Sequence, residues 1–351
     1  MALGRHKTVA PDARAMYKAA KPARPMCVMS NTDQDLSSWS SDDSLTVIVV
    51  SYNTRELTLA ALRTLFAETR NPYLHVVVYD NDSRDGSADA VAAAFPQVEL
   101  IRSTTNEGFA KANNIVAARA RSNWLLLLNP DTEVQDGAVD KLLAFARSRP
   151  AGGIYGGRTV FPDGTLNMAS CWKKITPWSV FCAASGLITL FPGSSLFNPE
   201  AMAGWPRDTV REVDIVVGCF LMIRRELWDR LGGFDARYFM YGEEADLCLR
   251  AARLGYRPVI TPGAQIMHLV GASASVRSDR IKSLAKARVS LIRDHWPRAW
   301  VPFGIAMMWI WAAIRSSGFR LKGAWKGGEA RDKAEAWAAA WHDRRDWLKG
   351  Y

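Results

Sequence analysis

Three short polar clusters, each following a predicted strand, carry residue types that could bind a phosphorylated ligand. They occupy residues 51–53 (Ser-Tyr-Asn), 80–87 (Asp-Asn-Asp-Ser-Arg-Asp-Gly-Ser) and 129–131 (Asn-Pro-Asp). In an open parallel sheet, ligands bind beyond the carboxyl ends of the strands. The three clusters are therefore predicted to meet in one polar crevice that contains at least two carboxylates.

The chemistry of this crevice favours a diphosphate held through a cation. No GxGxxG pattern follows the first strand and no GxxxxGK[ST] pattern occurs, which argues against a dinucleotide fold and a P-loop. Asp131 instead offers a carboxylate at a strand end, where it can hold a divalent cation that bridges phosphates. The pattern indicates a nucleotide-sugar ligand, because its nucleoside diphosphate leaving group develops charge that a metal can stabilise.

Alternating strands and helices must position these clusters. The β-branched run at 45–50 predicts a buried parallel strand. Further strands are predicted at 75–79, 98–101, 124–128 and 214–223, and helices at 55–69, 86–94, 108–120, 225–231 and 243–254. Residues 151–212 are predicted to form loops and hairpins. The alternation predicts an α/β fold with a mostly parallel sheet flanked by helices.

Five motifs, taken in their order along the chain, resemble the inverting glycosyltransferases of family 2, which have the GT-A fold. They are VVSYN (49–53), YDNDSRDGS (79–87), NEGFAKANN (106–114), LLLNPDTEV (126–134) and YGEEADLCLRAARLGY (241–256). Within that family the chain is most similar to the rhamnosyltransferase-type enzymes that build bacterial surface polysaccharides. The resemblance covers roughly residues 45–275. It implies metal-dependent, inverting transfer of a sugar, with dTDP-rhamnose the expected donor, to an acceptor hydroxyl.

The resemblance also implies roles for individual residues. The nucleotide and sugar are expected to contact Ser51, Tyr52, Asn53, Asp80, Asn106, Gly108, Phe109, Asn113 and Asn129. The expected ligands of a divalent metal (Mg or Mn) are Asp131 and His268. The family usually has Glu-Asp where this chain has Glu243-Glu244, and its second acid is the general base. Either Glu244 or Glu243 could therefore be the base, and Asp246, which also matches the motif, could act directly or only cap its helix.

Each of these residues also has an ordinary structural interpretation. Asp80 could complete a turn, Asp131 could cap a helix, and Glu243 and Glu244 could complement a helix dipole. Two other functions stay open. A sugar nucleotidyltransferase would require a Gly-rich, Arg-containing loop after the first strand, whereas the chain has VVSYNTRE there. A catalytically inactive nucleotide-sugar-binding scaffold is the other, motivated by Asn129 and Glu244, and metal-dependent hydrolysis of a nucleotide-sugar would distinguish it.

Composition divides the chain into three parts. The net charge of +10 lies at the two ends: residues 1–25 hold six Lys/Arg and one acid, and residues 298–351 hold ten Lys/Arg and five acids. The neutral middle argues against nucleic acid as a partner. We predict a disordered basic and Ser/Asp-rich tail at 1–43, a GT-A domain at 44–295 and a Trp-rich helical extension at 296–351. Five cysteines without a CxxC pair indicate a reducing cytoplasm and no disulfide framework.

The extension is expected to bring the protein to a membrane surface. The N-terminus lacks the apolar region of a secretory signal, and no run reaches the ~20 apolar residues that a spanning helix needs. Eight of the fourteen tryptophans lie in 296–351, and an apolar run at 301–314 precedes Arg315, Arg320 and Lys322. These features predict peripheral attachment to the inner face of the plasma membrane, where a saccharide or lipid-linked saccharide acceptor would be reached. The alternative is a helix that packs on the catalytic core.

Overall fold

A computed structural model describes residues 39–269, 277–326 and 328–351 of the protein. The strands in this part of the chain are β1 (Leu45–Ser51), β2 (Leu74–Asn81), β3 (Glu99–Ser103), β4 (Trp124–Leu128), β5 (Thr132–Gln135), β6 (Ile154–Val160), β7 (Leu166–Asn167), β8 (Cys171–Trp172), β9 (Arg211–Glu212), β10 (Ile215–Val216), β11 (Phe220–Arg224) and β12 (Val259–His268). The α-helices are α1 (Arg55–Glu68), α2 (Ser87–Ala94), α3 (Gly108–Arg119), α4 (Ala138–Ser148), α5 (Pro177–Ser185), α6 (Leu187–Leu190), α7 (Arg225–Leu231), α8 (Glu243–Arg253), α9 (Arg277–His295), α10 (Val301–Lys326), α11 (Glu329–His342) and α12 (Arg344–Trp347).

The first four strands form the parallel half of a central sheet. Their spatial order is β3-β2-β1-β4, and each neighbouring pair in this half is parallel. All residues of β1 are buried, as a Val- and Ile-rich strand covered on both faces should be. Ser51 pairs with Asp80 in the β1–β2 register, so the polar clusters that end these strands lie side by side.

The second half of the sheet is mixed and continues in the order β4-β11-β6-β12-β5. Strand β11 is antiparallel to β4 and β6, β12 is parallel to β6, and β5 pairs antiparallel with β12. The predicted α/β fold with a mostly parallel sheet and flanking helices is confirmed. Strands β5 and β12 and helix α4 were not among the predicted elements.

The region 151–212 is more regular than predicted, because β6 runs through the middle of the sheet. This strand contains Gly156 and Gly157, whose low strand propensity hides it from the sequence pattern. A Cβ at Gly157 would collide with the Ala264 carbonyl oxygen, so β6 can approach β12 this closely only with glycine there. The same region also contains α5 and α6.

The single strand predicted at 214–223 is in fact two strands in two sheets. Strand β10 pairs with β8 in a separate two-stranded sheet, whereas β11 belongs to the central sheet. Between them the chain turns, with the Val217 amide donating to the Ser170 carbonyl at 3.1 Å. The run of apolar residues conceals this turn, because buried strands in both sheets have the same hydrophobic pattern.

Two hydrophobic clusters cover the two faces of the central sheet. One includes Leu62 of α1 and Leu142 of α4. The other includes Val116 of α3 and Leu247 of α8, and it extends without interruption into the C-terminal helices through buried side chains of α10 and α12, namely Met308, Ala312 and Trp347. The C-terminal helices therefore share the core of the sheet.

Regular structure in the described residues starts slightly before the predicted boundary at residue 44. Residues Ser41–Asp43 form a short 3-10 helix, and the buried Asp43 pairs with Arg147 at 2.9 Å. Residues 1–38 of the predicted tail lie outside the described residues. Among the described cysteines, Cys171, Cys182, Cys219 and Cys248 are free and buried. No helix in the described part of the chain is long and apolar enough to cross a bilayer.

Candidate active site

Asp80 lies at the floor of the crevice that the carboxyl ends of β1 and β2 form. Its Oδ1 accepts a hydrogen bond from the Ser83 amide at 3.0 Å, and its Oδ2 is buried without a partner. Ser51, its neighbour in the sheet, is fully buried and donates or accepts in a hydroxyl cluster with Thr54 and Thr58 at 3.1 and 3.0 Å. One oxygen of Asp80 therefore has no protein hydrogen bond, whereas the Ser51 hydroxyl supports the turn into α1.

Tyr52 and Asn53 line the rim of the same crevice. Asn53 has a left-handed backbone (φ 53°), and its amide donates to Ser83 Oγ at 3.0 Å. Its side-chain Oδ1 accepts from the Arg84 amide at 2.8 Å, so Asn53 joins the loops that follow β1 and β2. The Tyr52 ring is exposed beside this junction and is open to a planar base.

The segment 106–113 forms the next wall through a sharp turn at Gly108. This glycine has φ +77°, and a Cβ there would collide with the Phe239 carbonyl oxygen. The same carbonyl accepts a hydrogen bond from the Phe109 amide at 2.8 Å. Asn113, fully buried on α3, donates to the Phe109 carbonyl at 2.8 Å, and its Oδ1 has no partner. The turn therefore places these residues against the loop that precedes α8.

Asn81 positions this turn, and the sequence-based assignment left it out. Its Nδ2 donates to Asn106 Oδ1 at 2.9 Å, while its Oδ1 accepts from the Glu107 amide at 2.8 Å. Asn114 acts similarly on the other side, because its side chain exchanges two hydrogen bonds with the backbone of Phe234. Both asparagines lie inside the motifs at 79–87 and 106–114. Their place in these motifs is the sequence signal that could have identified them.

Asn129, Asp131 and His268 converge where β4 and β12 end. Asp131 Oδ1 lies 3.3 Å from His268 Nε2, and both side chains are buried. The pairing of β12 with β5 brings His268 opposite Thr132, next to Asp131 in the chain. Asn129 Oδ1 is buried without a partner, and its amide donates to the Cys219 carbonyl at 3.1 Å. Two predicted metal ligands that are distant in sequence thus meet.

These residues fit a divalent cation. Apart from its 3.3 Å contact with His268 Nε2, Asp131 Oδ1 has no partner, and His268 Nδ1 has none either; carboxylate and imidazole both bind Mn²⁺. Burial disfavours a charged imidazole, but Cys219 and Asp131 favour it more and raise the pKa of His268 to about 10. The described residues include no group of three or more metal-ligating side chains, so diphosphate and water would complete the coordination.

Glu243 and Glu244 are the first two residues of α8. Glu243 is buried, and one carboxylate oxygen of each residue has no partner. Burial raises the pKa of both carboxyl groups, and the charge of Glu244 raises that of Glu243 further. A Cβ built on Gly218 would lie 3.3 Å from the Phe109 ring and 4.0 Å from Glu244 Cβ. Glu244 therefore borders the space beside Phe109 and the turn at residues 217–219.

Asp246 is held by protein groups on both carboxylate oxygens. Arg250 Nε donates to Oδ2 at 2.7 Å, and His295 Nε2 lies 2.9 Å from Oδ1. The Arg250 guanidinium also donates to the carbonyls of Leu231 and Gly233. Asp246 thus fixes α8 against α7 and α9. Its spacing of four residues from Arg250 was visible in the sequence, but its contact with His295 was not.

Known protein sequences include a matching family and named relatives of this chain. Residues 46–232 match the protein family described as Glycosyl transferase family 2. The N-acetylglucosaminyl-diphospho-decaprenol L-rhamnosyltransferase of Mycobacterium tuberculosis (strain ATCC 25618 / H37Rv) is 29% identical over 252 residues, which cover 64% of this chain and 76% of the relative. Rhamnosyltransferase WbbL of Escherichia coli (strain K12) is 27% identical over 172 residues, which cover 46% of this chain and 60% of the relative.

Solved structures are similar in fold. The mannosyltransferase PcManGT from Pyrobaculum calidifontis, in complex with GDP-Man and Mn²⁺, superposes with a TM-score of 0.52 at 20% identity, covering 96% of this chain and 88% of that one. Residues 1–349 of S. aureus TarS, in complex with UDP-GlcNAc, give 0.50 at 17% identity, covering 87% and 81%. These similarities confirm the GT-A fold. Because the family match spans more than half of the chain, this protein belongs to glycosyl transferase family 2 and is a glycosyltransferase.

Proposed function

We propose that the protein transfers rhamnose from dTDP-rhamnose, with inversion, to a hydroxyl of a lipid-linked saccharide in bacterial cell-surface polysaccharide synthesis. The names of the M. tuberculosis and E. coli relatives support rhamnose as the sugar, and the first supports a lipid-linked acceptor. The observation that carries the proposal is the buried Asp131–His268 pair, at 3.3 Å, near the unpartnered Oε2 of Glu244. Burial raises the pKa of Tyr241, and the charges of Glu244 and Asp131 raise it further, so both acids lie close to this ring. An inverting displacement requires charge stabilisation and a base on opposite faces of the sugar.

The donor is proposed to lie along the carboxyl edge of β1, β2 and β4. The exposed Tyr52 ring would stack on the base, and the free oxygen of Asp80 would accept a hydrogen bond from it. The turn at Gly108 and the unpartnered Oδ1 of Asn113 would face the nucleotide and sugar. Asp131 and His268 would hold the Mg or Mn ion, with Asn129 Oδ1 beside it. A cation bound there would neutralise the charge that develops on the leaving diphosphate.

Glu244 is proposed as the general base. Its carboxylate removes the proton from the acceptor hydroxyl while the oxygen forms a bond to the anomeric carbon. The bond from that carbon to the diphosphate oxygen breaks, and the nucleoside diphosphate leaves from the opposite face. The raised pKa of Glu244 makes it a stronger base than an exposed carboxylate, which suits proton transfer near neutral pH.

The membrane side of the proposal concerns the C-terminal helices. Trp300, Trp309 and Trp325 are exposed, as attachment to the cytoplasmic face of the plasma membrane requires. Trp311, by contrast, packs against Trp337 with ring centroids 4.9 Å apart, and Trp296 donates to the Ile175 carbonyl. The extension thus combines a core-packing side with exposed tryptophans, and the proposed contact uses only the latter.

A thermal-shift screen against nucleotide-sugars with Mn²⁺, followed by a transfer assay, tests the function. A donor at about 100 times its Kd should stabilise the fold by about 2.7 kcal/mol. We expect dTDP-rhamnose to give the largest shift, and Asp131→Ala to abolish both transfer and metal-dependent diphosphate binding. Binding without metal-dependent transfer or hydrolysis would favour an inactive scaffold. Unchanged metal dependence in Asp131→Ala would contradict the metal site.

A further inference from the structure

Residues 175–199, from α5 through α6 to the following loop, contain no charged side chain. This stretch nevertheless lies at the surface. Its exposed large apolar residues are Trp178, Phe181, Leu190, Phe191 and Leu196, with Leu190 70% and Leu196 59% accessible. Contiguous apolar patches are rare on soluble proteins unless something covers them. We refer to these five side chains as the hairpin patch.

Contacts within residues 175–199 hold the side chains of the hairpin patch in place. Its aromatic rings pack on one another and on Phe197, with centroids 5.5 Å apart for Trp178–Phe181 and 5.1 Å for Phe191–Phe197. Trp178 Nε1 donates to the Leu196 carbonyl at 2.7 Å, which ties the two ends of the stretch together. Just beyond it, Glu200 and Arg288 form two hydrogen bonds of 2.7 Å that hold the stretch against α9.

The neighbouring helix gives the surface its charge. Helix α10 packs against α5, and Trp296, just before α10, donates to the Ile175 carbonyl at 3.1 Å. The two packed segments, 173–199 and 296–326, together contain seven Lys/Arg and no Asp or Glu. Near the C-terminal end of α10, Leu321 and Trp325 are exposed, and Trp325 is 90% accessible. Apolar side chains beside basic residues, with no acidic residue in the same segments, complement an anionic lipid surface.

We propose that the hairpin patch is a membrane-insertion element that enters the apolar boundary of an anionic bilayer, with the exposed basic side chains beside it, Lys173, Lys174, Arg320 and Lys322, facing lipid headgroups. The proposal deepens the membrane-side function proposed above and rests on it for its biological purpose. Strand β8 ends just before the patch and pairs with β10, which leads into the turn beside Glu244. Insertion here would hold the acceptor side of the crevice at the membrane surface, within reach of a saccharide on a lipid anchor.

Vesicle co-sedimentation of the full chain tests the proposal directly. The vesicles are phosphatidylglycerol mixed with phosphatidylcholine, or phosphatidylcholine alone. The variant Leu190→Ser/Phe191→Ser/Leu196→Ser replaces two exposed leucines and the half-exposed Phe191. The matched control, Tyr73→Ser/Phe161→Ser/Leu254→Ser, removes exposed apolar side chains outside both segments. We expect wild type and control to bind anionic vesicles more tightly than neutral ones, and the hairpin variant to lose at least about tenfold in affinity.

Three results would overturn the proposal: no sedimentation of the wild type with anionic vesicles, equal affinity of the hairpin variant and the wild type, or equal loss in the control variant. Light scattering without lipid tests a different occupant of the patch. If the wild type is a dimer that the hairpin substitutions dissociate, and it does not bind vesicles, the patch contacts a second copy of the chain. Donor binding is measured by thermal shift on the same samples. If the wild type binds the donor but not the vesicles, only the insertion element is refuted. If the wild type binds no nucleotide-sugar donor, the proposed enzyme function is refuted.

Discussion

At the scale of single residues, the site depends on adjacent carboxyl groups that the fold puts in different surroundings. Glu244 lies beside the turn at Gly218 and the Phe109 ring. The charges of Glu243 and Glu244 both act on Tyr241, and that of Glu243 also acts on Tyr351. Asp246, two residues on, is fully bonded to Arg250 and His295. Asp246 is therefore satisfied by protein groups, whereas Glu243 and Glu244 each keep one carboxylate oxygen without a partner.

The first prediction separates the two glutamates by turnover. Glu244→Gln should leave donor binding near normal and reduce kcat by about 100-fold or more, because proton removal from the acceptor is lost. Glu243→Gln serves as the matched control and should lose much less. Steady-state kinetics and donor titration on both variants measure this. If Glu243→Gln is the inactive variant, the base is Glu243.

The second prediction concerns the pH dependence of stability. Burial and the charge of Glu244 raise the folded-state pKa of Glu243 above its ordinary value of 4.5, so ionising Glu243 disfavours folding as pH rises past that value. Glu243→Gln has no such penalty. Its free energy of unfolding should therefore exceed that of wild type at pH 8, and the excess should shrink towards pH 4. Urea unfolding at both pH values measures it, and an excess that grows on acidification would contradict the assignment.

At the scale of elements, the site is built where loops after parallel strands meet the loop before α8. Gly108 is the tightest of these contacts, because its φ of +77° and the Phe239 carbonyl both exclude a side chain. Asn81 and Asn114 hold the two sides of this junction through their amides. The segment that begins α3 and the loop before α8 are therefore joined at one turn.

The third prediction uses a pair of glycines with the same backbone conformation. Gly108→Ala should destabilise the fold and weaken donor binding by about tenfold or more, because strain at positive φ adds to a collision with Phe239. Gly164 has φ +79° with nothing near its Cβ, so Gly164→Ala should cost only about 1 kcal/mol and leave donor binding unchanged. Thermal unfolding and donor titration compare the two. Equal effects on donor binding would show that the Gly108 turn does not shape the donor site.

At the scale of the whole molecule, the C-terminal helices belong to the catalytic core as well as to the surface. Trp347 is buried, and its Nε1 donates to the Ala340 carbonyl at 2.8 Å. Tyr351 reaches the loop before α8, where its hydroxyl donates to the Met240 carbonyl at 2.7 Å. Removing these helices would expose the core cluster, so point substitutions are the better way to separate packing from membrane contact.

The fourth prediction compares two tryptophans of the C-terminal helices. Trp347→Ala should lower the free energy of unfolding by about 3–5 kcal/mol, because it removes a buried ring from the core. Trp325→Ala, at an exposed position, should change it by no more than about 0.5 kcal/mol. Urea unfolding measures both. A small effect for Trp347→Ala would mean that these helices are dispensable for the core, and the catalytic domain would then end near residue 295 as the sequence predicted.

The sequence by itself determined the parallel half of the sheet, the polar clusters at the carboxyl ends of its strands and the family. These features are local, because hydrophobic periodicity marks β1 to β4 and their alternation with helices indicates a parallel sheet. Only the tertiary structure decided the rest. It brought His268 to Asp131 through β12, which the pattern missed, and it made β6 a central strand because Gly157 permits close approach to Ala264. Contacts of this kind join distant segments, and no periodicity along the chain encodes which segments meet.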